Sequence, residues 1–127
     1  MILITGGAYQ GKTAFARTHF PDIITDGAEC GFDEAQSAKI LNHFHTLVRR
    51  LTENGADAEA YTKAFCTANP NCIVLIDEIG SGIIPMEKTE RIWREKVGRA
   101  GCILAEHADT VIRVICGIPL ALKGELP

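Results

Sequence analysis

The sequence predicts an α/β fold, in which a mainly parallel β-sheet is flanked by helices. Short apolar runs of strand length alternate along the chain with stretches of helical periodicity, and a glycine-rich segment follows the first run. With 127 residues, the chain is predicted to form one domain over residues 1–127, long enough to bury a core. Little room remains for a second activity.

The first elements are a strand, a helix and a second strand. Apolar residues 2–5 predict the first strand. The helix that follows begins around Gly11 and ends near His19, because Pro21 cannot continue it. Residues 22–25 predict a short second strand, so this region has the strand, helix, strand order of a parallel sheet.

A long helix is predicted over residues 34–53. Asp33 resembles an N-cap, and Gln36 three residues later completes a capping-box pattern. An apolar stripe repeats through this segment with a period of about 3.6 residues, which predicts that one helix face packs on the sheet. The stripe consists of Ile40, Phe44, Leu47, Val48 and Leu51.

The second half of the chain continues the alternation. The predicted elements are a helix opened by Asp57 and ending near Ala68, a strand over 72–76, a long helix from after Pro85 to about His107, a strand over 110–115 and a final short strand over 118–122. Gly98 and Gly101 lie inside the long helix, where each weakens it by about 1 kcal/mol relative to alanine. Close backbone packing at these two glycines is therefore expected.

The glycine-rich segment has the form of a phosphate-binding P-loop. Its spacing, Gly6-x-x-x-x-Gly11-Lys12-Thr13, lets backbone N–H groups surround phosphate oxygens ahead of a helix N-terminus. Lys12 is predicted to reach the β- and γ-phosphates, and Thr13 to bind Mg²⁺. A plain glycine turn is the alternative, but the strand before and the helix after favour a nucleotide site. The predicted nucleotide contacts are Gly6, Gly7, Ala8, Tyr9, Gln10, Gly11, Lys12 and Thr13.

Two acidic residues follow the strand at 72–76. Asp77 and Glu78 are placed at the carboxyl end of this strand, where ligands of open α/β sheets bind. Carboxylate oxygens suit Mg²⁺, so one of the two is predicted to hold the ion directly or through water; Asp77 is the candidate ligand and Glu78 a candidate catalytic residue. The alternative is a pair of solvated carboxylates at a strand end.

Asp26 and Glu29 follow the second strand at the same predicted edge of the sheet. An aspartate at this place can act as the base for a substrate hydroxyl, so Asp26 is a candidate catalytic residue. The alternative is a plain turn, because Asp-Gly is a common turn sequence.

His43 and His45 suggest a metal site at first sight. Residues two apart on a helix point about 200° away from each other, so in the predicted helix the two rings cannot share an ion. Each is expected to border the apolar stripe.

Composition excludes several classes of function. A formal net charge of −3 offers no general field for nucleic acid, and every apolar run is shorter than the roughly 20 residues that cross a bilayer. The start of the chain lacks a signal-peptide pattern, so a cytoplasmic protein is expected. The five cysteines include no Cys-x-x-Cys pair, which argues against a disulfide framework or structural zinc, and most are expected to be buried.

Three ordered blocks, residues 2–13, 77–85 and 98–118, resemble the adenosylcobinamide kinase / adenosylcobinamide-phosphate guanylyltransferase family of cobalamin biosynthesis. The Glu-x-Gly-x-Gly-Ile-x-Pro element in the second block is the most diagnostic. The resemblance implies a RecA-like P-loop fold, a homo-oligomer that is a trimer, a corrinoid substrate, and ATP or GTP with Mg²⁺. It also implies that Gly80 and Gly82 lie beside the nucleotide.

The middle of the chain departs from the family pattern. Family members with both activities carry a longer insertion, in which a histidine in a helix after an Asp-Glu pair becomes guanylylated. Here Asp33-Glu34 matches that pair and His43 falls near the nucleophile position, but the segment that follows is absent. Phosphoryl transfer to a corrinoid hydroxyl is the leading hypothesis. Guanylyl transfer through His43 and a non-catalytic nucleotide-binding accessory or regulatory protein stay open as alternatives.

Overall fold

The structure is a computed structural model that describes residues 1–79 and 87–127. Its elements in chain order are β1 Ile2–Gly6, α1 Lys12–His19, β2 Ile24–Asp26, α2 Phe32–Ala35, β3 Ile40–Asn42, α3 Phe44–Glu53, α4 Ala58–Ala68, β4 Ile73–Asp77, α5 Lys88–His107, β5 Thr110–Ile115 and β6 Ile118–Lys123.

The six strands form one sheet in the order β2-β3-β4-β1-β5-β6. All neighbouring strands are parallel except β5 and β6, which form an antiparallel hairpin. The prediction of an α/β fold with a mainly parallel sheet and flanking helices is thus confirmed. Because β1 is parallel to its neighbours β4 and β5, the loop after β1 sits at the carboxyl edge of the sheet, beside the ends of these two strands.

The two faces of the sheet bury separate apolar cores, because successive side chains of a strand point to opposite faces. Leu3 of β1 joins the core under α3, α4 and α5, whereas Ile4 is fully buried in the core under α1. Phe15 and Ala16 supply the helical side of the smaller core. This packing holds α1 behind the loop that follows β1.

The predicted helix over residues 34–53 is wrong. The structure divides that segment into α2, β3 and α3, and the N-cap of α2 is Gly31 rather than Asp33. Leu47, Val48 and Leu51 do form a buried stripe, but it belongs to α3 alone. Ile40 fits the same spacing by coincidence, since it is a strand residue that pairs with Ile24 and Ile73.

The expected close packing at Gly98 and Gly101 is also wrong for the described part of the chain. Apart from the adjoining residues and the backbone of α5 itself, no atom there lies within 4 Å of the Cβ position that either glycine lacks. The expectation for the cysteines is confirmed, since Cys30, Cys66 and Cys72 are buried and two others are exposed. Burial raises the pKa of Cys72 to about 12. Among the helices of the described ranges, none is long and apolar enough to cross a membrane.

Candidate active site

A cavity of about 680 Å³ opens at the carboxyl edge of the sheet. Residues from the loop after β1, the start of α1, the ends of β2, β3 and β4 and the start of α3 line it. The lining residues are Ala8, Tyr9, Gln10, Gly11, Lys12, Thr13, Ala14, Asp26, Ala28, Asn42, His43, His45, Thr46 and Asp77. Side chains that are distant in sequence therefore line the same cavity.

The glycine-rich loop enters α1 through a left-handed residue. Gly11 is the N-cap of α1 with φ of 98°, a backbone conformation that a side chain would strain. The loop is tied to the β5–β6 turn by Gln10, because its side-chain Oε1 accepts the Cys116 N–H at 2.7 Å and its backbone O accepts the Gly117 N–H at 2.8 Å. The loop is thus anchored from outside as well as by α1.

Lys12, His45 and Asp77 form the first polar group of the cavity, here named the Lys12 cluster. Lys12 Nζ donates to Gly7 O at 2.7 Å and lies 2.7 Å from Asp77 Oδ1. The Lys12 side chain is only 7% exposed, so its charge is almost fully withdrawn from water. Asp77 therefore neutralises a buried ammonium at the place where phosphate oxygens are predicted to bind.

His45 contacts the same aspartate at two points. Its Nδ1 accepts the Asp77 backbone N–H at 3.0 Å, and its Nε2 lies 3.4 Å from Asp77 Oδ2. Burial lowers the pKa of His45 and outweighs the opposing effect of the Asp77 charge. The ring is consequently neutral at pH 7, and because Nδ1 accepts a hydrogen bond, the proton is on Nε2.

Asp26 and His43 form the second polar group, here named the Asp26 pair. His43 Nδ1 lies 2.8 Å from Asp26 Oδ1, which also accepts the Ala28 N–H at 2.9 Å. Burial raises the pKa of Asp26, but the hydrogen bonds from His43 and Ala28, together with nearby positive charge, outweigh it and leave this pKa below its ordinary value. Asp26 is therefore an ionised acceptor that orients the imidazole.

The turn after Asp26 is closely packed against the end of β3. The Gly27 N–H donates to Asn42 O at 2.8 Å, and Arg50 Nη1 donates to Gly27 O at 2.8 Å. A Cβ on Gly27 would lie 2.7 Å from Asn42 O and 2.9 Å from His43 O. Glycine is required here because the two backbone segments approach so closely, and this approach places Asp26 beside His43.

Three non-glycine residues of the described ranges have positive φ, and all three are at or beside the cavity. They are Tyr9 with φ of 60°, His43 with φ of 56° and Cys116 with φ of 51°. Left-handed conformations of such residues cost free energy and occur preferentially at functional sites. Tyr9 and His43 line the cavity itself, and Cys116 donates to Gln10 of the loop.

The oxygen atoms of the cavity suit a magnesium nucleotide. Thr13 and Asp77 both line it and offer the hard oxygen ligands that Mg²⁺ prefers. Within the described residues, no group of three or more His, Cys, Asp or Glu side chains could hold a metal ion by itself. Mg²⁺ usually binds proteins through one or two side chains and completes its shell with phosphates and water.

The structure brings together most of the predicted site residues. The loop residues 8–13, Asp26, His43 and Asp77 all line the cavity, and Gly7 is bonded to Lys12. Glu78 points away from it and lines a separate cleft with Val97 and Gly98. Arg113 holds Glu78 through two bonds, Nε to Oε1 at 2.8 Å and Nη2 to Oε2 at 3.0 Å, and these bonds raise the pKa of Arg113. Gly80 and Gly82 lie outside the described residues.

The predicted separation of His43 and His45 is wrong. The two ring centroids are 5.7 Å apart and the rings meet edge to face at 85°. The helical rule does not apply because α3 begins at Phe44 and His43 precedes it in a left-handed conformation. His43 also does not lie in a helix that follows Asp33-Glu34, because strand β3 separates it from that pair.

Sequence reasoning missed Asn42, His45 and Thr46 as cavity residues. Asn42 Oδ1 accepts the His43 N–H at 2.8 Å, and its Nδ2 lies 3.4 Å from Thr13 Oγ1, so it links the two sides of the cavity. All three residues were hidden inside the predicted long helix. A polar Asn-His pair directly after the apolar residues Ile40 and Leu41 was the available signal of a strand end.

A comparison with models of known protein families gives a match over most of the chain. A model of the family described as cobinamide kinase / cobinamide phosphate guanyltransferase matches residues 33–122. The matched range includes His43, His45 and Asp77, and it begins after the glycine-rich loop. A search of curated protein sequences gave no match.

Proposed function

Because the chain belongs to the cobinamide kinase / cobinamide phosphate guanyltransferase family of transferases, we propose that it transfers the γ-phosphoryl group of ATP or GTP to a hydroxyl of a corrinoid. The observation that carries this proposal is the single cavity that joins the glycine-rich loop and Lys12 to Asp77 on one side and to the Asp26 pair on the other. A phosphoryl transferase needs a phosphate site and an acceptor site in this proximity.

The donor side of the cavity is assigned to the Lys12 cluster. Backbone N–H groups of the loop and the N-terminus of α1 offer donors and positive potential to the triphosphate. Lys12 Nζ is proposed to exchange part of its contact with Asp77 for phosphate oxygens, and Thr13 and Asp77 to hold Mg²⁺. Bound Mg²⁺ supplies charge neutralisation for the transferring phosphates.

The acceptor side is assigned to the Asp26 pair. An ionised Asp26 only accepts hydrogen bonds, so His43 Nδ1 carries the proton between them and Nε2 is the basic atom of the ring. In the proposed step the corrinoid oxygen bonds to the γ-phosphorus while the bond from that phosphorus to the bridging oxygen breaks. The hydroxyl proton passes to His43 Nε2, and the nucleoside diphosphate leaves with the bridging electrons.

Incubation of the full chain with Mg²⁺, adenosylcobinamide and either ATP or GTP tests the proposal. Mass spectrometry reads the corrinoid product and the intact protein in the same sample. Phosphorylated corrinoid without added protein mass is the expected result. Nucleotide binding with neither product nor adduct would contradict the kinase proposal and favour the accessory or regulatory alternative.

Guanylyl transfer through His43 is a second candidate, favoured by the orientation and accessibility of this ring. Its side chain is 43% exposed, and Asp26 binds Nδ1 and leaves Nε2 available. Nε2 would bond to the α-phosphorus of GTP and expel pyrophosphate, and a corrinoid phosphate oxygen would then displace the histidine. An acid-labile guanylyl adduct that disappears in a His43→Asn variant, with no adduct from ATP, is the outcome that would support this second reaction.

We also propose that the chain assembles with copies of itself through the face of β6. Ile118, Leu120 and Leu122 alternate along β6 and are 70%, 55% and 57% exposed. Addition of another strand to the free edge of β6 is disfavoured. Pro119 pairs with Val114, and in this register the backbone N of residue 119 faces the free edge, where proline has no N–H to donate. Light scattering of the wild type and a Leu120→Ser variant tests this proposal. A homo-oligomer is expected for the wild type, and the family resemblance implies a trimer.

A further inference from the structure

The family match and the predicted site residues leave one buried side chain of the cavity without a role. The His45 side chain is 10% exposed and contacts Asp77, whose carboxylate meets Lys12. We propose that His45 is a positioning residue that fixes the Asp77 carboxylate, and through it the Lys12 ammonium, for the magnesium nucleotide. The proposal rests on the proposed function, because it assigns Asp77 to the magnesium side of that reaction.

The two contacts of the ring constrain different parts of Asp77. The 3.0 Å hydrogen bond from the Asp77 N–H to Nδ1 fixes the backbone at the end of β4, where the strand ladder no longer supplies a partner from β3. The protonated Nε2, 3.4 Å from Oδ2, biases rotation of the carboxyl group so that Oδ1 meets Lys12 Nζ at 2.7 Å. One imidazole thus sets both the position and the rotation of the carboxylate.

The backbone of His45 is itself held by a side chain of α5. Trp93 Nε1 of α5 donates to His45 O at 2.9 Å, and the Arg49 guanidinium lies 4.8 Å from the Trp93 ring centroid. This places the end of β4, the first turn of α3 and helix α5 in one bonded series. Hydrogen bonds to a metal-binding side chain, the role proposed here for the contacts of His45 with Asp77, orient that side chain, and their loss typically weakens metal binding by about 10- to 100-fold.

Two substitutions of His45 distinguish a positioning role from a role in packing alone. In His45→Asn the amide oxygen can replace Nδ1 as acceptor for the Asp77 N–H, but the group that faces the carboxylate is lost. In His45→Gln the longer amide can place an N–H near Oδ2, but the backbone acceptor is lost. His107→Asn is the matched control, because His107 is exposed and its ring bonds to Ile103 O within the same helix, α5.

The experiment measures binding of fluorescent ATP and GTP analogues to the full-length variants, with EDTA and across a Mg²⁺ titration, together with thermal midpoints. His45→Asn is expected to raise the Mg²⁺ concentration for half-maximal binding by about 10-fold, with a change below about 2-fold in EDTA. His45→Gln is expected to lower the thermal midpoint while it retains the wild-type Mg²⁺ requirement. The control is expected to match the wild type in every measurement.

A second measurement needs neither metal nor nucleotide. Ring-nitrogen NMR of ¹⁵N-labelled wild type should show His45 protonated at Nε2 and unprotonated at Nδ1. The opposite tautomer, or lower thermal midpoints in both variants with an unchanged Mg²⁺ requirement, would overturn the positioning role and leave the proposed function intact. A wild type that binds neither analogue with Mg²⁺ would overturn the proposed function and this inference together.

Discussion

The Lys12 cluster and the Asp26 pair share a cavity but differ sharply in exposure. In the cluster, the side chains of Lys12, His45 and Asp77 are 7%, 10% and 20% exposed, whereas those of Asp26 and His43 are both 43% exposed. The cluster is largely buried, and its members bond to one another. The pair is oriented by the hydrogen bond between its members and by backbone N–H groups bonded to Asp26 and Asn42, and it stays open to the cavity.

This difference fits two kinds of work. A preorganised, water-poor cluster stabilises charge on phosphates without rearranging during the reaction. An accessible base must instead admit a second molecule and take its proton. The two sides are coupled through Asn42, which bonds to the His43 N–H and reaches Thr13. The predictions below separate what each side contributes.

The largest effect is expected from Lys12→Ala, which removes the only cation of the Lys12 cluster. Turnover should fall by about 10²- to 10³-fold, the range for loss of one buried donor to transition-state charge. Steady-state assays with nucleotide and corrinoid measure this. Lys63→Ala, on the exposed side of α4, is the control and should retain wild-type turnover. Retained turnover in Lys12→Ala would remove the donor-side assignment.

The next effect is expected from Asp26→Asn, which leaves the Lys12 cluster intact. Turnover should fall by about 10- to 100-fold, part of the contribution of about 10² to 10⁴ that a positioned base makes. Nucleotide affinity should stay unchanged, because the pair lies on the acceptor side. Asp33→Asn, at an exposed position of α2, is the control. An equal loss of nucleotide affinity in Asp26→Asn would erase the distinction between the two sides.

The same variant carries a pH prediction. The folded pKa of Asp26 is lowered, so its ionised form stabilises the fold above the unfolded pKa of about 3.9, and this stability is lost as pH falls through the lower folded pKa. Asp26→Asn should therefore be less stable than the wild type at neutral pH. The difference should shrink in urea titrations carried out below about pH 4.

How much of the site could be predicted from the sequence depended on the length of each element. The glycine-rich loop begins at the end of β1 and Asp77 is the last residue of β4, both strands of five residues, so the local pattern predicted where both strands end. Strand β3 has three residues, too few to display a period of two, and Ile40 matched the stripe of α3. The contacts of His45 and Asn42 depend on the end of β3 and the start of α3 between them, so they could not be predicted from a continuous helix.

Gly27→Ala tests how far the geometry of the Asp26 pair depends on the close approach of β2 and β3. The new Cβ would meet two backbone oxygens, at 2.7 and 2.9 Å, which should lower the free energy of unfolding by about 1–3 kcal/mol. Turnover should fall because Asp26 and His43 are displaced. Gly31→Ala is the control, since its nearest neighbour beyond the adjoining residues is Glu34 Cβ at 3.8 Å. Urea denaturation and turnover assays measure both effects.

The smallest effect is expected from Glu78→Gln, beside the cavity but outside it. Glu78 follows Asp77 directly, yet strand alternation turns it toward Arg113 on the opposite face, where the ion pair is partly exposed. The turnover loss should stay below about threefold, as expected for an exposed pair, whereas Asp77→Asn should lose at least about tenfold.

Parallel turnover assays and Mg²⁺ titrations of the two variants decide between neighbours with the same chemistry. If Glu78→Gln lost as much turnover as Asp77→Asn, the catalytic role that the sequence predicts for Glu78 would stand. The site would then extend across the end of β4, into the cleft that Glu78 shares with Val97 and Gly98. If only Asp77→Asn loses turnover, the direction of the side chain accounts for the different roles of Asp77 and Glu78. Their charge and their position along the chain are nearly the same and cannot account for it.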